Sequence, residues 1–313
     1  MKNKVAFIWM LTSKLEMKLF RFLLKVKNYL YFKLLYPWEL KKPNLIIKYN
    51  PLNDKMNISS CRGFQSRNEA TLMFFLDVFS EAKKNIKKEI EFKFYTGDYP
   101  TVDRKVFSYS NESKDSNVIT IPEFDFVSWK EANINDYQSQ VDKIISQSMN
   151  KFEIEKLFWI GNINTHPSRK FFLDNFSDEP LIECRQLNPS LPNFNNYFVT
   201  LEDHCKYKYL IDLQGNGFSA RLKYLLFTGR PLLIQDRKWM TYYHKLLVPY
   251  EHYLPVKEDL SDLILQINYL ESNPIIAKNI ADNAQKFAMK NLMKNKVFEY
   301  YLNVINNYIN DHK

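Results

Sequence analysis

Two series of apolar, β-prone runs alternate with helical patterns along this chain of 313 residues. The first series begins at "NLIIKYN" (44–50) and includes "IEFKFYTG" (90–97). The second begins at "KLFWIG" (156–161) and includes "YLIDLQ" (209–214). Strands that alternate with helices form parallel sheets joined by crossover connections. The sequence therefore predicts an α/β protein with two domains.

We place the domain boundaries where the composition or the series changes. Residues 1–42 form an arm, 43–152 an N-terminal Rossmann-like domain and 153–294 a C-terminal Rossmann-like domain. The last helix, within 295–313, carries an apolar face, and we expect it to dock on the N-terminal domain. In the C-terminal domain the patterns also predict a helix that starts at Phe218 and another near 238–246.

The net charge of +9 is concentrated in the arm, where residues 1–42 hold ten Lys or Arg and two Glu. This distribution argues against a nucleic-acid groove built into the fold. A helix over 14–36 is largely apolar with one cationic strip, which suits an anionic membrane surface, so we expect residues 1–36 to bind there. The alternative is a helix docked on the core with its strip in solvent. The strip consists of Lys14, Lys18, Arg21, Lys25 and Asn28.

Cysteine usage and the N-terminal residues predict a cytoplasmic protein. The three cysteines, Cys61, Cys184 and Cys205, lack the spacing of a zinc site and are odd in number, so no metal site or disulfide framework is indicated. The apolar run from Val5 to Leu11 is short for a signal peptide, and no small-residue cleavage site follows it. We expect a peripheral location on the inner face of the cell membrane.

Glycine is scarce, which makes the turn after "YLIDLQ" informative. The chain has six glycines, whereas average usage predicts about twenty. Gly215 and Gly217 bracket a turn between a strand and the predicted helix, whose free N–H groups favour an anion. Ser219 can add a hydroxyl, and Arg221 can bind phosphate oxygens with its guanidinium fork. The alternative is an ordinary strand-to-helix connection with Arg221 in solvent.

The same residues fit the dinucleotide fingerprint G-x-G-x-x-A. Gly215, Gly217 and Ala220 occupy its three positions, and Asp236 lies at a suitable distance for a ribose hydroxyl. This pattern supports a nicotinamide-dependent oxidoreductase as an alternative. The fingerprint normally opens the first βαβ unit of its domain, and here it falls in a later one. Spacing alone leaves both interpretations open.

Longer stretches around this turn resemble glycosyltransferase family 90. The resemblance is dense in "DHCKYKYLIDLQGNGFSARLKYLLFTGRPLL" (203–233) and "WMTYYHKLLVPYEHYLPVKEDLSDL" (239–263). Upstream it thins to islands such as "GDYPTV" (97–102) and "WIGNINTHPSR" (159–169). The family includes bacterial lipopolysaccharide and capsule glycosyltransferases and eukaryotic protein O-glucosyltransferases.

The resemblance implies a GT-B architecture, in which two Rossmann-like domains face a cleft and the second binds a nucleotide sugar. It implies an inverting reaction without a metal ion and without a cofactor besides the sugar donor, which is a co-substrate. The sequence agrees in lacking a credible D-x-D pair. The donor-binding residues that we predict are Gly161, Asn162, Arg169, Asn216, Gly217, Phe218, Ser219, Ala220 and Arg221.

The family's catalytic base is the aspartate of an "R-D-Y-P"-like motif, which falls on Asp98 here. Asp98 follows a predicted strand and precedes Pro100 by two residues. An inverting transfer needs one carboxylate to take the proton of the acceptor hydroxyl. The residues alone would equally fit an ordinary turn aspartate near a proline.

Two positions depart from the family pattern. Asn216 stands where the family commonly has Gly, and Ile160 where it often has Arg. We predict transfer of a hexose from a nucleotide diphosphate sugar, a UDP-sugar, to a hydroxyl of a lipopolysaccharide core or similar lipid-linked saccharide. A non-catalytic membrane-surface binding protein is a third interpretation, which Ile160 slightly favours.

Overall fold

The computed structural model describes residues 44–60, 65–98, 100, 105–112, 117–188 and 198–312. The predicted arm at 1–42 lies outside these residues. The chain divides into two compact units, one ending at Asn135 and resuming at Val297, the other spanning Asp136–Lys296. Each unit carries a five-stranded sheet with helices, so the predicted α/β class is confirmed. No helix in the described ranges combines the length and apolar composition needed to cross a bilayer.

The first unit contains a mixed sheet with the strand order β2-β1-β3-β4-β5. Strand β1 is antiparallel to β2 and to β3, whereas β3, β4 and β5 are parallel. Its elements are β1 (Leu45–Asn50), β2 (Lys55–Ser60), α1 (Gln65–Ala82), β3 (Ile90–Tyr95), β4 (Val106–Ser108), β5 (Val118–Thr120) and the last helix of the chain, Lys294–Asn310, which we label α7 below.

Strand β2 was not predicted, and it adds a second antiparallel pair to a sheet that the antiparallel β1–β3 pair already makes mixed. A four-residue turn returns the chain directly after β1, so no crossover helix intervenes and the two strands must be antiparallel. Asp54 closes the turn with a φ of 48° and accepts a hydrogen bond of 2.7 Å from the Tyr49 hydroxyl. The left-handed conformation is one that Asp tolerates better than most residues.

Aromatic rings fill the core of the first unit. Phe75 on α1 lies 4.9 Å from Phe92 and 5.2 Å from Phe94 between ring centroids. Helix α7 covers the same sheet, since the Tyr308 hydroxyl donates to the Glu91 carbonyl and its ring lies 4.8 Å from Phe107. Its buried residues recur every four positions, as a helix with one apolar face requires: Val297, Tyr301, Ile305 and Ile309.

The second unit contains an entirely parallel sheet with the order β10-β9-β8-β6-β7. Its elements are α2 (Tyr137–Ser148), β6 (Ile154–Gly161), α3 (Pro167–Phe176), β7 (Ile182–Gln186), β8 (Tyr207–Asp212), α4 (Leu222–Leu225), β9 (Leu232–Gln235), β10 (Leu254–Val256), α5 (Leu263–Ser272) and α6 (Pro274–Asn291). Strand order reverses between β6 and β8, because the chain adds β7 on one side of β6 and β8 on the other.

Helix α2 belongs to the second unit, whereas the predicted boundary at 152/153 assigned it to the first. The Tyr137 hydroxyl donates to the Leu292 carbonyl over 2.8 Å, and Gln140 donates to Glu202 over 2.7 Å. At the other end of the helix, Arg230 donates to the carbonyls of Ser148 and Asn150. These long-range bonds tie the helix to the second unit.

Two helices predicted in the second unit are much shorter than expected. The helix predicted from Phe218 begins at Leu222 and has four residues. Near 238–246 the structure has only a 3₁₀ turn at His244–Leu246. Residues 241–244 are all buried, and a helix lying on a sheet would expose one side. Both misses reflect tertiary burial that overrides local pattern.

Candidate active site

The candidate site of the second unit lies where β6 and β8 end. In open α/β sheets, ligands bind at the carboxyl ends of the strands, at the point where the strand order reverses. The last residue of β6 and the segments that follow β6 and β8 contain all the donor-binding residues predicted from the sequence. The structure therefore brings Gly161, Asn162 and Arg169 together with 216–221 at one edge of one sheet.

Arg169 connects the two strand ends. It lies in the first turn of α3, which His166 caps by accepting the Ser168 N–H at its Nδ1. The guanidinium donates from Nε to the Gln214 carbonyl over 2.7 Å and from Nη2 to the Leu213 carbonyl over 3.1 Å. These carbonyls follow β8, so hydrogen bonds from Arg169 tie α3 to the residues beyond β8.

Arg221 reaches the same place from the opposite direction. It stands at the N-cap position of α4, and its Nη1 donates to the Ile160 carbonyl on β6. Its Nε is buried and has no hydrogen-bond partner among the described residues. Burial lowers the pKa of the Arg221 guanidinium, while Asp212 acts to raise it. Since arginine stays protonated in proteins, Arg221 is a half-buried cation whose Nε donates to none of the described residues.

A buried ion pair holds the turn before Arg221. Arg237 donates to the Asp212 carboxylate over 2.8 Å and to the Asp212 carbonyl over 2.7 Å, and both side chains are almost fully buried. The other oxygen of that carboxylate accepts the Ser219 hydroxyl over 2.6 Å. The Ser219 hydroxyl thus donates its one hydrogen bond to Asp212 and can only accept hydrogen bonds from other groups.

Gly215 in this turn and Gly161 on β6 are required by close contacts. A Cβ at Gly215 would lie 3.0 Å from the Phe218 carbonyl oxygen and 3.7 Å from Arg169. A Cβ at Gly161 would lie 2.6 Å from the ring of Trp159. The anion site cannot rest on the dipole of α4, because four residues do not make a helix with a useful macrodipole. Charge at this edge comes from arginine side chains instead.

The remaining predicted residues complete the turn. Phe218 is buried and Asn216 is exposed. Asn162 follows β6, where its carbonyl accepts from Arg169 and its side chain accepts from the Asn164 N–H over 2.9 Å. Ala220 accepts a hydrogen bond from Lys223 at its carbonyl. These four residues shape the backbone around the guanidinium groups.

Asp98 lies in the first unit, just after β3. Its carboxylate accepts a hydrogen bond of 2.6 Å from Nη1 of Arg67, and its carbonyl accepts the Ser110 hydroxyl over 3.0 Å. The side chains of Arg67 and Asp98 are 19% and 24% exposed, so solvent can reach the pair. Gly97 leaves room for Tyr95, whose hydroxyl would lie 2.4 Å from a Cβ at that position. Asp98 is therefore fixed but accessible.

Sequence reasoning missed Arg67, Asp212 and Arg237. An arginine in the first turn of α1 is a weak signal, because the helix dipole disfavours a cation there unless an anion is close. An aspartate ending the apolar strand "YLID" was a stronger signal, because a buried carboxylate requires a partner. No local pattern marks Arg237, which reaches Asp212 from beyond the next strand.

His204 and Cys205, neighbours that could suggest a thiol–imidazole pair, are both buried and serve packing. Burial lowers the pKa of His204 to about 3 and raises the pKa of the Cys205 thiol to about 12. The thiol donates weakly to the Ile144 and Thr228 carbonyls. Across the described ranges, no three His, Cys, Asp or Glu side chains are grouped to hold a metal ion.

Comparison with known proteins identifies the family of this chain. The model of the family described as "Glycosyl transferase family 90" matches residues 39–312. The chain belongs to glycosyl transferase family 90. Bovine protein O-glucosyltransferase 1 is 33% identical over 110 residues, which is 35% of this chain and 28% of that protein. Human protein O-glucosyltransferase 3 is 26% identical over 264 residues, 74% of this chain and 49% of that protein. The chain thus spans about half or less of these relatives.

Solved glycosyltransferase structures show a weak likeness. Anabaena Alr3699/HepE in complex with UDP-glucose has a TM-score of 0.35 at 9% identity and covers 52% of this chain and 44% of its own. The C-terminal domain of a Francisella tularensis glycosyl transferase group 1 family protein (LpcC) has a TM-score of 0.33 at 11% identity. The match covers 50% of this chain and 92% of that domain. Similarity at this level indicates nothing about the substrate.

Membership of family 90 removes the nicotinamide alternative, and the fold agrees. The fingerprint normally opens a long helix after the first strand of its sheet, whereas Gly215 and Gly217 follow the third strand of theirs and precede a helix of four residues. Ile160, where this family 90 chain lacks an arginine, buries its side chain and offers its carbonyl to Arg221. That contact therefore does not depend on the side chain at 160.

Proposed function

We propose that this family 90 chain transfers a hexose from a UDP-sugar to a hydroxyl group of a glycan, with inversion and without a metal ion. The relatives named above are protein O-glucosyltransferases, which supports a hexose donor. The acceptor that we propose is a lipopolysaccharide core or a similar lipid-linked saccharide, in keeping with the basic arm.

One observation carries this proposal: Arg169 and Arg221 meet at the switch point of the parallel sheet, each held on backbone carbonyls. Neutral acceptors orient a guanidinium without cancelling its charge. Two such groups at the ligand-binding edge favour a dianionic group such as a diphosphate. Preorganised cations of this kind stabilise charge that develops on a leaving group.

The reaction then proceeds as a single displacement. Asp98 takes the proton of the acceptor hydroxyl, and that oxygen attacks the anomeric carbon on the face opposite the nucleotide. The bond from the anomeric carbon to the diphosphate oxygen breaks, and its electron pair leaves with UDP. Arg169 and Arg221 stabilise the negative charge on the departing diphosphate. The proposal assigns the base to the first unit and the leaving-group contacts to the second.

The proposed location is the cytoplasmic side of the cell membrane, with residues 1–36 binding its anionic surface. The excess of basic over acidic residues in the arm supports this part of the proposal. Removing residues 1–36 should abolish sedimentation with vesicles of phosphatidylglycerol and leave transfer to a soluble acceptor intact. Vesicle binding that survives the deletion would contradict it.

A donor screen tests the proposed reaction directly. The full chain is incubated in EDTA with UDP-glucose, UDP-galactose, UDP-xylose, GDP-mannose or CMP-sialic acid, and released nucleotide is measured with and without a lipopolysaccharide extract. We expect release from one UDP-sugar, accelerated by the extract. Release from no sugar nucleotide would contradict the activity and favour the non-catalytic binding protein. Release that requires Mg²⁺ or Mn²⁺ would contradict metal independence.

A further inference from the structure

Trp159 lies close to both arginines of the site, yet the proposed reaction gives it no role. It is on β6, two residues before the strand ends, and its side chain is 1% exposed. The guanidinium carbon of Arg169 lies over its ring at 5.7 Å from the centroid, and that of Arg221 at 5.8 Å. Both distances fall within the range of cation–π attraction.

These contacts matter because two like charges share one small region. A flexible arginine side chain that nothing held in place would turn its guanidinium towards solvent. Backbone carbonyls hold one edge of each group. The negative face of an indole ring supplies a further attraction that does not neutralise either charge. The arginines can therefore stay in place and still attract an anion.

The ring face, rather than the indole N–H, is what Trp159 offers the arginines. Its Nε1 is buried and donates to no atom of the described residues. Phe172 meets the ring edge-on, at 5.8 Å between centroids, so the indole is fixed by packing. The absence of a side chain at Gly161 leaves room for the ring, since a Cβ there would lie 2.6 Å from it.

We propose that Trp159 is a positioning residue for diphosphate binding. Its ring holds the guanidinium groups of Arg169 and Arg221 in place before the donor arrives, so the donor does not have to order them. Trp159 itself acts through the arginines. The inference rests on the proposed function, because it presumes that a nucleoside diphosphate is the ligand.

Comparing UDP with uridine isolates this role. The dissociation constants of both are measured calorimetrically for the full chain and for Trp159→Leu, Trp159→Phe and Phe158→Leu. Phe158 is the matched control, since it neighbours Trp159 on β6 but stacks on Tyr207 at 3.9 Å, on the opposite face of the sheet. Unfolding midpoints show which variants are folded.

The expected results follow from the loss of two cation–π contacts. Trp159→Leu should raise the Kd of UDP about tenfold and leave that of uridine within about twofold. Trp159→Phe keeps an aromatic face and should raise the Kd of UDP by about threefold or less. Phe158→Leu should lower the unfolding midpoint without changing the ratio of the two dissociation constants. Equal losses of UDP affinity in Trp159→Leu and Trp159→Phe would assign the effect to the indole N–H and overturn the proposal.

A second measurement avoids any change of shape. Fluorinated tryptophan weakens the negative ring face while keeping the side chain's outline, and it is incorporated into the full chain and into Trp159→Phe. Fluorination should lower the UDP affinity of the full chain and leave that of Trp159→Phe unchanged. No change in either protein would overturn the proposal, even if Trp159→Leu fails to fold. Failure of the unmodified chain to bind UDP would instead contradict the proposed function.

Discussion

The charged side chains at the ends of the parallel strands have different kinds of partner in the two units. In the first unit, Asp98 after β3 is paired with a side chain of opposite charge, Arg67, at 2.6 Å. In the second, Arg169 and Arg221 donate hydrogen bonds to backbone carbonyls, which orient their guanidinium groups. The difference is that the first unit presents an ion-paired carboxylate, whereas the second presents two guanidinium groups oriented by the backbone. Substitutions in the first should therefore affect chemistry, and substitutions in the second should affect binding.

The largest effect should come from Asp98→Asn. An amide cannot take the proton of the acceptor hydroxyl, so kcat for transfer should fall by about 10²- to 10⁴-fold. The Kd of UDP should stay unchanged, since the arginines are untouched. Initial rates with the donor found in the screen, together with calorimetric titration of UDP, check both parts. Activity within a few-fold of the unsubstituted chain would remove Asp98 as the base and break the comparison.

Acid should destabilise the second unit more than the first. Burial lowers the pKa of His204 to about 3 and that of His244 to about 3, and both residues belong to this unit. As the pH falls below about 6.5, the unfolded chain takes up protons at these histidines while the folded chain does not. The free energy of unfolding of the second unit should thus keep its full value above about pH 6.5. It should decline as the pH falls towards 3, by about 1.4 kcal/mol per pH unit for each histidine.

Urea unfolding between pH 7.5 and 5, followed by hydrogen exchange of peptides from each unit, measures this difference. His204→Gln should reduce the pH dependence of the second unit. The matched control is His312→Gln in the first unit, where the histidine is exposed and should change nothing. Equal acid sensitivity of both units would contradict the prediction.

Arg221→Met should weaken UDP binding by about 10- to 100-fold, because it removes charge-assisted hydrogen bonds to the diphosphate. Transfer at saturating donor should suffer less than with Asp98→Asn. Lys208→Met is the control. Lys208 pairs with Glu271 at 2.7 Å near the start of β8, so this substitution removes the same charge from the other end of the strand. A Kd that both variants change alike would show only a non-specific effect of net charge.

The smallest effect should come from Arg67→Met. Loss of the ion pair frees the Asp98 carboxylate to rotate, so we expect kcat to fall by about tenfold. This is less than the rate loss of about 10²-fold that a misplaced catalytic group can cause. The Kd of UDP should not change, and Arg67→Lys should recover part of the rate. Lys83→Met, which breaks the pair with Asp54 just after α1, serves as the control. A change in UDP affinity with Arg67→Met would contradict the separation of roles between the units.

The sequence was sufficient where local pattern determines structure. Alternating strands and helices predicted the parallel sheet of the second unit, and the placement of Gly161, Arg169 and Arg221 at its switch point follows from the order in which strands are added. Pattern was insufficient for the antiparallel β1–β2 pair, because "PLND" is a turn between strands and the second strand has only weak periodicity. Pattern also did not indicate where α2 packs, because long-range hydrogen bonds tie it to the second unit.

The partners of the candidate catalytic groups could not be predicted for a related reason. Arg67 lies 31 positions from Asp98, and Arg237 lies 25 positions from Asp212. Contacts at such separations depend on how elements pack, which a single sequence does not display. The short α4 has the same origin, since the turn before it is fixed by the buried bond between Ser219 and Asp212.

Calorimetric titration of UDP in EDTA tests the central claim most directly, namely that arginines in the second unit bind a nucleoside diphosphate without a metal ion. We predict saturable binding at a single site of the unsubstituted chain, weakened by added salt and strongly reduced in Arg221→Met. No binding in EDTA with recovery on adding Mg²⁺ or Mn²⁺, or equal binding by the unsubstituted chain and Arg221→Met, would contradict it.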